Sequence, residues 1–433
     1  MTAMSLKIVR GRLLDTIQAT AKYSALISMA GVPKGSGVCR LSLSDNDKNV
    51  RDWFVKEVKS LGCEVKIDKV GNIFATYPGK KDGLPTAIGS HLDTQPTGGR
   101  YDGIYGVLTG LEVLRTLKEN KYVPNYPISL VNWTNEEGAR FPMSVMASAL
   151  WAGRVAEDEV FNLKSVIDTE AVTVDQELNR IGYKGPYKAS YKSIPLKAHF
   201  ELHIEQGPIL EKEDKRVGIV TGAQAYCWNK VIIKGSSSHT GTTPLDVRSD
   251  ALLAASKMIV KCNELAHEYK GLVSVGVCEV KPRVVNVIPN EVTFTYDARH
   301  PHDEPLEALN EELYSSFKNI AIETLGPNCK APIEVSVENL MRSKAVHFDP
   351  HCISCVREAS IELLGEENVM DIVSGAGHDS CATNNVCPTT MIFIPSKEGI
   401  SHHPDEYSTP QQIEDGFDVL LKSVLKYDSK RVD

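Results

Sequence analysis

Segments with helical periodicity alternate with short, strand-like segments along most of the chain. Apolar residues recur at helical spacing in six segments, residues 46–61, 106–118, 251–269, 305–322, 351–364 and 411–427. Runs typical of strands lie between them, at residues 86–89, 128–133, 198–204, 229–234, 272–280, 292–297 and 389–394. This alternation predicts an α/β protein, in which helices pack on a sheet.

The length of the chain predicts two domains. Its 433 residues exceed the roughly 250 to 300 residues at which one hydrophobic core stops growing. From about residue 226 to 338 the order of elements is strand, helix, strand, strand, helix, strand, which is typical of a two-layer α+β unit. We expect residues 226–338 to be inserted into a larger α/β domain, formed by residues 1–225 and 339–433.

Charge and composition exclude several classes of protein. The formal net charge is −8 and Lys and Arg form no stripe, which argues against a nucleic-acid partner and favours a small-molecule substrate. The apolar runs are far shorter than the roughly 18 residues of a membrane span, so we expect no membrane insertion. Ten cysteines without disulfide-like spacing suit a reducing, cytoplasmic compartment. Cys352 and Cys355 are expected to be ordinary helix residues one turn apart.

The N-terminal region leaves two interpretations open. The first 44 residues contain a single acid, Asp15, which favours a transit peptide only weakly. The alternative, which we prefer, is that residues 6–27 form an amphipathic helix of the mature fold.

Polar residues follow the first of the predicted buried strands. His91 and Asp93 come at its end, and Asp102 lies at the next turn. Because residues i and i+2 of a strand share a face, we expect the Asp93 carboxylate to accept the second ring proton of His91. A carboxylate in this position is typical of a metal-ligating histidine.

Two adjacent acids follow the next predicted strand. Glu136 and Glu137 follow residues 128–133 after Thr134 and Asn135. Neighbouring carboxylates at a strand end point in different directions, so one can bind a metal while the other stays free to move protons.

Histidines and acids mark two further strands. One face of the strand at residues 198–204 and its extension carries His199, Glu201, His203 and Glu205. This pattern is unusual for a strand without a polar purpose. His402 and His403 follow the last predicted strand, and their chemistry alone does not distinguish them.

Together these strand-end residues predict a site for two divalent metal ions. Ligands of α/β sheets gather at the carboxyl ends of the strands. The candidate metal ligands are His91, Asp102, Glu137, His203 and His402. With one carboxylate shared, each ion would have three protein ligands and an open position for water, as catalytic zinc sites require. Motifs of serine hydrolases, zinc-binding H-E-x-x-H helices, P-loops and dinucleotide-binding turns are absent from the sequence.

The motifs resemble those of a known family, the M20-type di-zinc amidohydrolases, in the branch that removes carbamoyl or ureido groups. The matching motifs, in order, are Gly-Ser-His-Leu-Asp-Thr at 89–94, Asn-Glu-Glu-Gly at 135–138, His-Ile-Glu-Gln-Gly-Pro at 203–208, His-Thr-Gly-Thr-Thr-Pro at 239–244, Ser-Gly-Ala-Gly-His-Asp at 374–379 and Ser-His at 401–402. The similarity runs from about Gly11 to the C-terminus. The resemblance implies a di-zinc aminopeptidase-like catalytic domain with an inserted dimerisation, or lid, domain.

The resemblance also implies how the ligands are shared. His91 and His203 would hold one zinc ion, Glu137 and His402 would hold the other, and Asp102 would bridge the two. The Gly-Ile-Ser-His spacing of the family is what favours His402 as the ligand.

Further roles follow from the same resemblance. Glu136 would be the general base, and His239 would donate to the developing oxyanion from the partner subunit of a homodimer. The positions that match substrate-binding residues of the branch are Gln206, Asn286, Arg299 and His378. The Arg299 guanidinium could engage both oxygens of a substrate carboxylate. A structural salt bridge is the alternative for this residue.

The substrate is less sharply indicated than the mechanism. Residues 51–54, 122–126 and 391–397 resemble fungal β-alanine synthase (β-ureidopropionase), whereas residues 141–153 resemble the general carbamoylase pattern. The expected reaction is hydrolysis of N-carbamoyl-β-alanine to β-alanine, CO2 and NH3, a step of pyrimidine catabolism. N-carbamoyl-L-amino acids and allantoate are the alternative substrates, and an inactive binding relative is a remote one.

Overall fold

The computed structural model describes residues 6–27 and 36–431. Within these ranges the chain divides into two compact units. The main unit contains the described residues up to Gly222 together with those from His347 onward, and the inserted unit is Ala223–Val346.

The described residues form the following strands and helices. The strands are, in chain order, β1 Glu64–Ile67, β2 Ile73–Tyr77, β3 Thr86–His91, β4 Ile128–Trp133, β5 Ala198–Ile204, β6 Val217–Ala223, β7 Ala225–Lys234, β8 Ser238–His239, β9 Leu272–Lys281, β10 Val287–Ile288, β11 Glu291–His300, β12 Glu334–Ser343, β13 Val346–His347, β14 Val369–Ser374 and β15 Thr389–Ile394. The helices are α1 Arg12–Thr20, α2 Asp45–Ser60, α3 Ile104–Glu119, α4 Met146–Trp151, α5 Glu157–Phe161, α6 Val174–Ile181, α7 Ile209–Lys212, α8 Ala251–Glu268, α9 Asp303–Thr324, α10 Pro350–Leu364, α11 Asp379–Thr383 and α12 Pro410–Lys430.

A mixed sheet forms the centre of the main unit. Its strands follow the order β1-β2-β4-β3-β5-β15-β6-β13, and β14 pairs with β6. The four central strands β4, β3, β5 and β15 run parallel to one another. Every residue of these four strands is buried, including polar residues of β5 such as His199 and Glu201. Their carboxyl ends lie at one edge of the sheet.

Helix α3 packs closely on this sheet because of two glycines. A Cβ atom on Gly106 would lie 2.4 Å from the carbonyl oxygen of Leu202, and one on Gly110 would lie 2.4 Å from the Leu130 side chain. Any larger residue would push the helix away from the sheet. The close packing fixes the N-terminus of α3, which directly follows Asp102 and Gly103.

The inserted unit is a four-stranded antiparallel sheet with two helices. The strand order is β12-β7-β11-β9, and α8 and α9 pack on each other and on the sheet. The order β7, α8, β9, β11, α9, β12 is the predicted order of elements. A boundary after Glu338 would cut β12, whose pairing with β7 continues to Ser343 opposite Tyr226. The unit accordingly extends to Val346.

The α/β class predicted from the sequence is confirmed. Each of the six helical segments and seven strands predicted from periodicity corresponds to an observed element, within a few residues at each end. The N-terminal helix is shorter than predicted, since α1 covers only Arg12–Thr20 of residues 6–27. Gly11, at φ 80°, directly precedes its first turn. Within the described ranges, no helix combines the length and apolarity needed to span a membrane.

Candidate metal centre

The strand-end residues come together at one edge of the main sheet. His91 is the last residue of β3, Glu136 and Glu137 follow β4, His203 lies near the end of β5, and His402 follows β15. Because these strands are parallel, their carboxyl ends carry the five side chains to the same place.

Asp102, His91 and His203 form the first group with the geometry of a metal site. One ligand atom from each lies within 4.8 Å of the other two. The Oδ1 atom of Asp102 is 3.1 Å from His203 Nε2 and 3.7 Å from His91 Nε2. All three side chains are buried.

Asp102, Glu137 and His402 form a second group that meets the same criterion. His402 Nε2 lies 3.3 Å from Asp102 Oδ2 and 3.3 Å from Glu137 Oε2. Asp102 therefore turns one carboxylate oxygen towards each group, which is the arrangement of a bridging ligand.

The ring orientations leave a nitrogen of each buried histidine facing Asp102. The Nδ1 atoms of His91 and His203 lie 2.9 Å and 2.8 Å from the main-chain carbonyls of Asp93 and Ile204, to which they donate. When the rings are neutral, each Nε2 then carries a lone pair that a metal ion could accept.

The contact predicted between His91 and the Asp93 carboxylate is wrong at the level of atoms. His91 ends β3 and the chain turns immediately after it, so the Asp93 carbonyl, and not its side chain, meets the ring. The Asp93 carboxylate instead accepts the main-chain N–H groups of Glu136 and Glu137, each at 3.3 Å. Asp93 thus holds the turn that carries the two acids.

His402, and not His403, faces Asp102 and Glu137. The His403 Nδ1 atom is turned away towards Asp405, whose main-chain N–H it accepts at 3.2 Å. The structure therefore distinguishes His402 from His403 as the candidate ligand, which their chemistry alone did not.

The buried carboxylates of the cluster have perturbed pKa values, and nearby cations would stabilise their ionised forms. Burial acts to raise the pKa of Asp102, but the hydrogen bonds of His203 and His402 outweigh it and hold this pKa well below its ordinary value. Burial raises the pKa of Glu137 to about 8, and the charge of Asp102 adds to this effect. Burial and the nearby carboxylates of Asp379 and Glu137 raise the pKa of Glu136 well above its ordinary value.

This donor set fits a pair of divalent metal ions. Three imidazoles and two carboxylates are the nitrogen and oxygen ligands that zinc and similar ions prefer. Positive charge between the buried carboxylates would also relieve the repulsion that raises the pKa values of Glu136 and Glu137. Glu136 lies at the edge of the first group, with Oε2 3.4 Å from His91 Nε2, and belongs to neither group of three.

Residues with strained backbone occur at three of the same strand ends. Asn135, Gln206 and His402 adopt left-handed conformations, with φ of 57°, 60° and 55°. A non-glycine residue in this region costs roughly 1 to 2 kcal/mol. Gly103 has φ 65°, and a Cβ atom there would lie 2.2 Å from the His91 ring, so only glycine fits. Strain of this kind clusters at functional sites.

Glu406 is a site residue that the sequence analysis missed. Its Oε1 accepts the main-chain N–H groups of Tyr101 and Asp102 at 2.9 Å and 3.0 Å, and its Oε2 accepts the Ser401 hydroxyl at 3.2 Å. It thereby joins the segment of Asp102 to the segment of His402. Glu406 lies in a loop, so the strand-end pattern could not find it, although an acid four residues after a candidate ligand was a usable signal.

Two of the predicted substrate-binding residues lie at this centre. Gln206 donates from Nε2 to Asp102 Oδ2 at 2.9 Å, while its Oε1 atom is buried without a hydrogen-bond partner. The ring of His378 lies 4.7 Å from that of His203. Ser374 donates its hydroxyl to Ala376, so the 3.0 Å contact of His378 Nε2 with Ser374 Oγ is a donation from the ring.

The other predicted residues lie in the inserted unit. His239 is exposed on β8, and the main-chain N–H of Thr240 donates to the Asn286 carbonyl at 3.0 Å, so His239 and Asn286 are neighbours. The Gly241 N–H donates to His239 Nδ1 at 3.1 Å. The neutral ring therefore carries its proton on Nε2, where it can act as a donor.

Arg299 is held on β11 by a neighbouring acid. Its NH2 group lies 2.7 Å from Asp297 Oδ2, and the guanidinium lies 5.6 Å from the centre of the Tyr226 ring. Asp297 and Arg299 share a face of the strand because they are two residues apart. The structural ion pair considered from the sequence is present, and it holds the guanidinium in place.

Comparison with known proteins agrees with the geometry. An N-carbamoyl-L-amino-acid amidohydrolase of Rhizobium meliloti is 39% identical over 415 residues, which cover 95% of this chain and 96% of the relative. An allantoate amidohydrolase of Bacillus subtilis (strain 168) is 31% identical over 424 residues, covering 96% and 98%. A crystal structure of an amidase of the hydantoinase/carbamoylase family from Burkholderia multivorans is 42% identical, with a TM-score of 0.89 and coverage of 99% of this chain and 100% of that one.

The family itself is identified by a match over most of the sequence. Residues 87–426 match the family described as Peptidase family M20/M25/M40, whose members depend on metal ions. The matched range includes every residue of both ligand groups, Glu136 and the residues of the inserted unit. The chain therefore belongs to the M20/M25/M40 peptidase family.

Proposed function

We propose that the chain is a two-metal hydrolase that cleaves the C–N bonds of the ureido group of an N-carbamoyl amino acid. The observation that carries this proposal is the pair of three-residue groups that share Asp102, with Glu136 beside them. The chain's membership of a family of metal-dependent hydrolases, with relatives that act on C–N bonds, supports the reaction class.

The ligands would be divided between two zinc ions. His91 and His203 would hold one ion, Glu137 and His402 the other, and Asp102 both. Bound there, the ions would polarise the ureido carbonyl and lower the pKa of a water molecule between them.

Glu136 is the proton carrier in this proposal. It is buried, belongs to neither ligand group, and has its main chain held by Asp93. Its carboxylate accepts a proton from the attacking water and delivers that proton to the departing nitrogen. The surroundings that raise its pKa favour the step in which it carries the proton.

The remaining residues bind the substrate. The buried, unpartnered Oε1 of Gln206 suits a ureido N–H group beside Asp102. His378 and Asn286 also bind the ureido group. His239 donates from Nε2 to the ureido carbonyl oxygen as negative charge develops on it. Arg299, steadied by Asp297, binds the substrate carboxylate.

The reaction consumes water and releases the free amino acid, ammonia and carbon dioxide. The relative from Rhizobium meliloti, named for N-carbamoyl-L-amino acids, supports a carbamoyl substrate. The stretches that resemble fungal β-alanine synthase favour N-carbamoyl-β-alanine within that class, and allantoate is the second candidate, favoured by the relative named for it. We propose further that the enzyme works as a homodimer, with His239 supplied by the partner subunit.

A substrate panel tests the proposal. The zinc-loaded protein is incubated with N-carbamoyl-β-alanine, N-carbamoyl-L-amino acids, allantoate and dipeptides, each with and without a chelator, and released ammonia and free amine are measured. We expect ammonia from at least one carbamoyl amino acid, and none after chelation. Cleavage of dipeptides with no reaction of any carbamoyl or ureido compound would reject the proposed function.

A further inference from the structure

A line of fully buried polar side chains lies behind the metal-binding edge of the sheet. The Trp133 indole donates to His199 Nε2 at 3.3 Å, His199 Nδ1 lies 3.3 Å from Ser380 Oγ, and the Ser380 hydroxyl lies 2.6 Å from Glu201 Oε2. None of the four side chains has exposed surface beyond 1%. His199 and Glu201 are two of the strand residues whose polar pattern the proposed reaction does not use.

The direction of every hydrogen bond in this line is fixed. An indole can only donate, so His199 Nε2 accepts and its proton is on Nδ1. His199 therefore donates to the Ser380 oxygen, and Ser380 donates its own hydrogen to Glu201. The line ends at the carboxylate, which only accepts when ionised.

Glu201 connects three elements that carry residues of the metal centre. Besides the Ser380 hydroxyl it accepts the Ser380 main-chain N–H at 3.0 Å and the Ser90 hydroxyl at 2.8 Å. Ser90 precedes His91 on β3, Glu201 lies two residues before His203 on β5, and Ser380 is the second residue of α11. The carboxylate thus ties β3 and α11 to β5.

A buried carboxylate is a costly way to fill a core position. Moving an ionised group out of water is unfavourable unless hydrogen bonds or charges compensate it, and an apolar residue of similar size avoids the cost altogether. For Glu201 the compensation comes from the three donors on Ser90 and Ser380. The arrangement is therefore specific for these donors, and it constrains where α11 can lie.

Helix α11 depends on such contacts because it is short. A helix of five residues has little stability of its own. Its first turn is attached to the rest of the main unit by Ser380 on Glu201 and by Asp379, which accepts the Ser148 hydroxyl at 2.5 Å. His378 is the N-cap residue of this helix, and its ring lies against those of His203 and Phe393 at 4.7 Å and 5.7 Å.

We propose that Glu201 is a positioning residue, which acts through Ser380 to hold α11 and thereby sets His378 beside the metal ligand His203. Glu201 touches neither substrate nor metal in this account. Its effect on turnover rests on the proposed function, whereas its effect on α11 does not.

Hydrogen exchange of α11 tests the positioning role independently of the substrate. Ser380→Ala removes the hydroxyl and keeps the main-chain N–H on Glu201. We expect amides of residues 379–387 to exchange at least about tenfold faster in this variant, because the helix opens locally. Ser360→Ala is the matched control, since its buried hydroxyl bonds only to Val356 within α10. Unchanged exchange in residues 379–387 would overturn the proposal.

Steady-state kinetics test the link to His378. We expect Ser380→Ala and Glu201→Gln to raise KM by about tenfold with kcat within about threefold and with both metal ions retained, since substrate binding is lost while the ligands stay. Adding Ser380→Ala to His378→Asn should raise KM no further, because both changes remove the same contribution to substrate binding, that of the positioned His378 ring. Multiplicative effects would overturn the proposal.

The two tests separate the two claims. Faster exchange in a protein that hydrolyses no carbamoyl or ureido compound would support the positioning of α11 and reject the proposed function. Normal hydrolysis with unchanged exchange and KM would reject the positioning role and leave the function standing.

Discussion

At the scale of single residues, the metal centre depends on the different surroundings of neighbouring acids. Glu136 and Glu137 are adjacent, yet Glu137 meets His402 and Asp102 while Glu136 belongs to neither ligand group. The Asp93 carboxylate holds the main-chain N–H groups of both. In the proposed function, this local arrangement leaves Glu137 to bind metal and Glu136 to transfer protons.

Glu136→Gln tests that division directly. The amide keeps the size of the side chain but cannot accept a proton, so we predict that kcat falls at least about a hundredfold. Both metal ions should remain, because Glu136 belongs to neither group of candidate ligands. The measurement is ammonia release together with metal content by elemental analysis. Turnover near that of the wild type would remove Glu136 from its role.

The sequence could predict most residues of the site, for a physical reason. His91 and His203 lie within buried strands, and Glu137 lies in the turn that follows another, so they share the strand-end position that the sequence pattern indicates. Glu406 could not be placed in the same way, because it reaches the site from a loop. The contact of His91 with the Asp93 carbonyl depends on a turn geometry that residue spacing does not encode.

At the scale of elements, a network of ion pairs anchors the loop that follows the two acids. Arg140 is buried, and it lies 2.7 Å from Glu177 on α6 and 2.8 Å from Asp168. It also donates to the Ser42 carbonyl at 3.1 Å. The loop between β4 and α4 is therefore tied to elements on both sides of it.

Arg140→Met should destabilise the fold, because Glu177 then keeps its pair with the exposed Arg180 but loses its pair with the buried Arg140. We predict a loss of about 1.5 to 3 kcal/mol in the free energy of unfolding at pH 7, which is the range for hydrogen bonds to charged groups. Arg357→Met, which breaks an exposed pair with Asp371, should cost less than about 1 kcal/mol. Urea unfolding of both variants measures the difference. Equal losses in the two variants would contradict this account.

The same network gives a pH dependence of defined sign. Burial opposes ionisation of Glu177, but hydrogen bonds from Arg180 and Arg140 hold its pKa below the ordinary value of 4.5. An acid whose pKa is lowered by folding stabilises the fold at pH values above its ordinary pKa. This contribution is lost as the pH falls through the lowered pKa. The difference in the free energy of unfolding between the wild type and Arg140→Met should therefore become smaller as the pH falls from 5 to 3. A difference that grows as the pH falls would contradict the stabilising role of ionised Glu177 beside Arg140.

Long elements were predictable and short ones were not. The amphipathic helices α2, α8 and α9 and the buried parallel strands have periodicities that fix their type. Helices such as α7 and α11 have four or five residues and form because of tertiary contacts, which sequence periodicity does not report.

At the scale of the whole molecule, the chain consists of a main unit that carries the candidate metal ligands and an inserted unit that carries His239, Asn286 and Arg299. The order of elements in the inserted unit was readable from the sequence. Its end was not, because the last residues of β12 are mostly exposed and polar and resemble a loop.

Mixing two inactive variants tests whether His239 acts across a homodimer. His239→Ala retains Glu136, and Glu136→Gln retains His239. In a mixed dimer one site has an intact Glu136 and an intact His239 from the partner, so an equal mixture should recover about a quarter of wild-type activity when subunits exchange freely. Each variant alone is the control. No recovery in co-expressed protein would place His239 in the site of its own chain.

A zinc titration of the metal-free enzyme tests the two-metal centre most directly. Chelated protein is titrated with Zn²⁺ while ammonia release from a carbamoyl amino acid is followed. The shared Asp102 predicts that activity reaches its maximum at two equivalents of zinc per chain, and that elemental analysis finds two bound ions. Full activity with one equivalent, or activity that survives complete chelation, would contradict a centre built from two groups around Asp102.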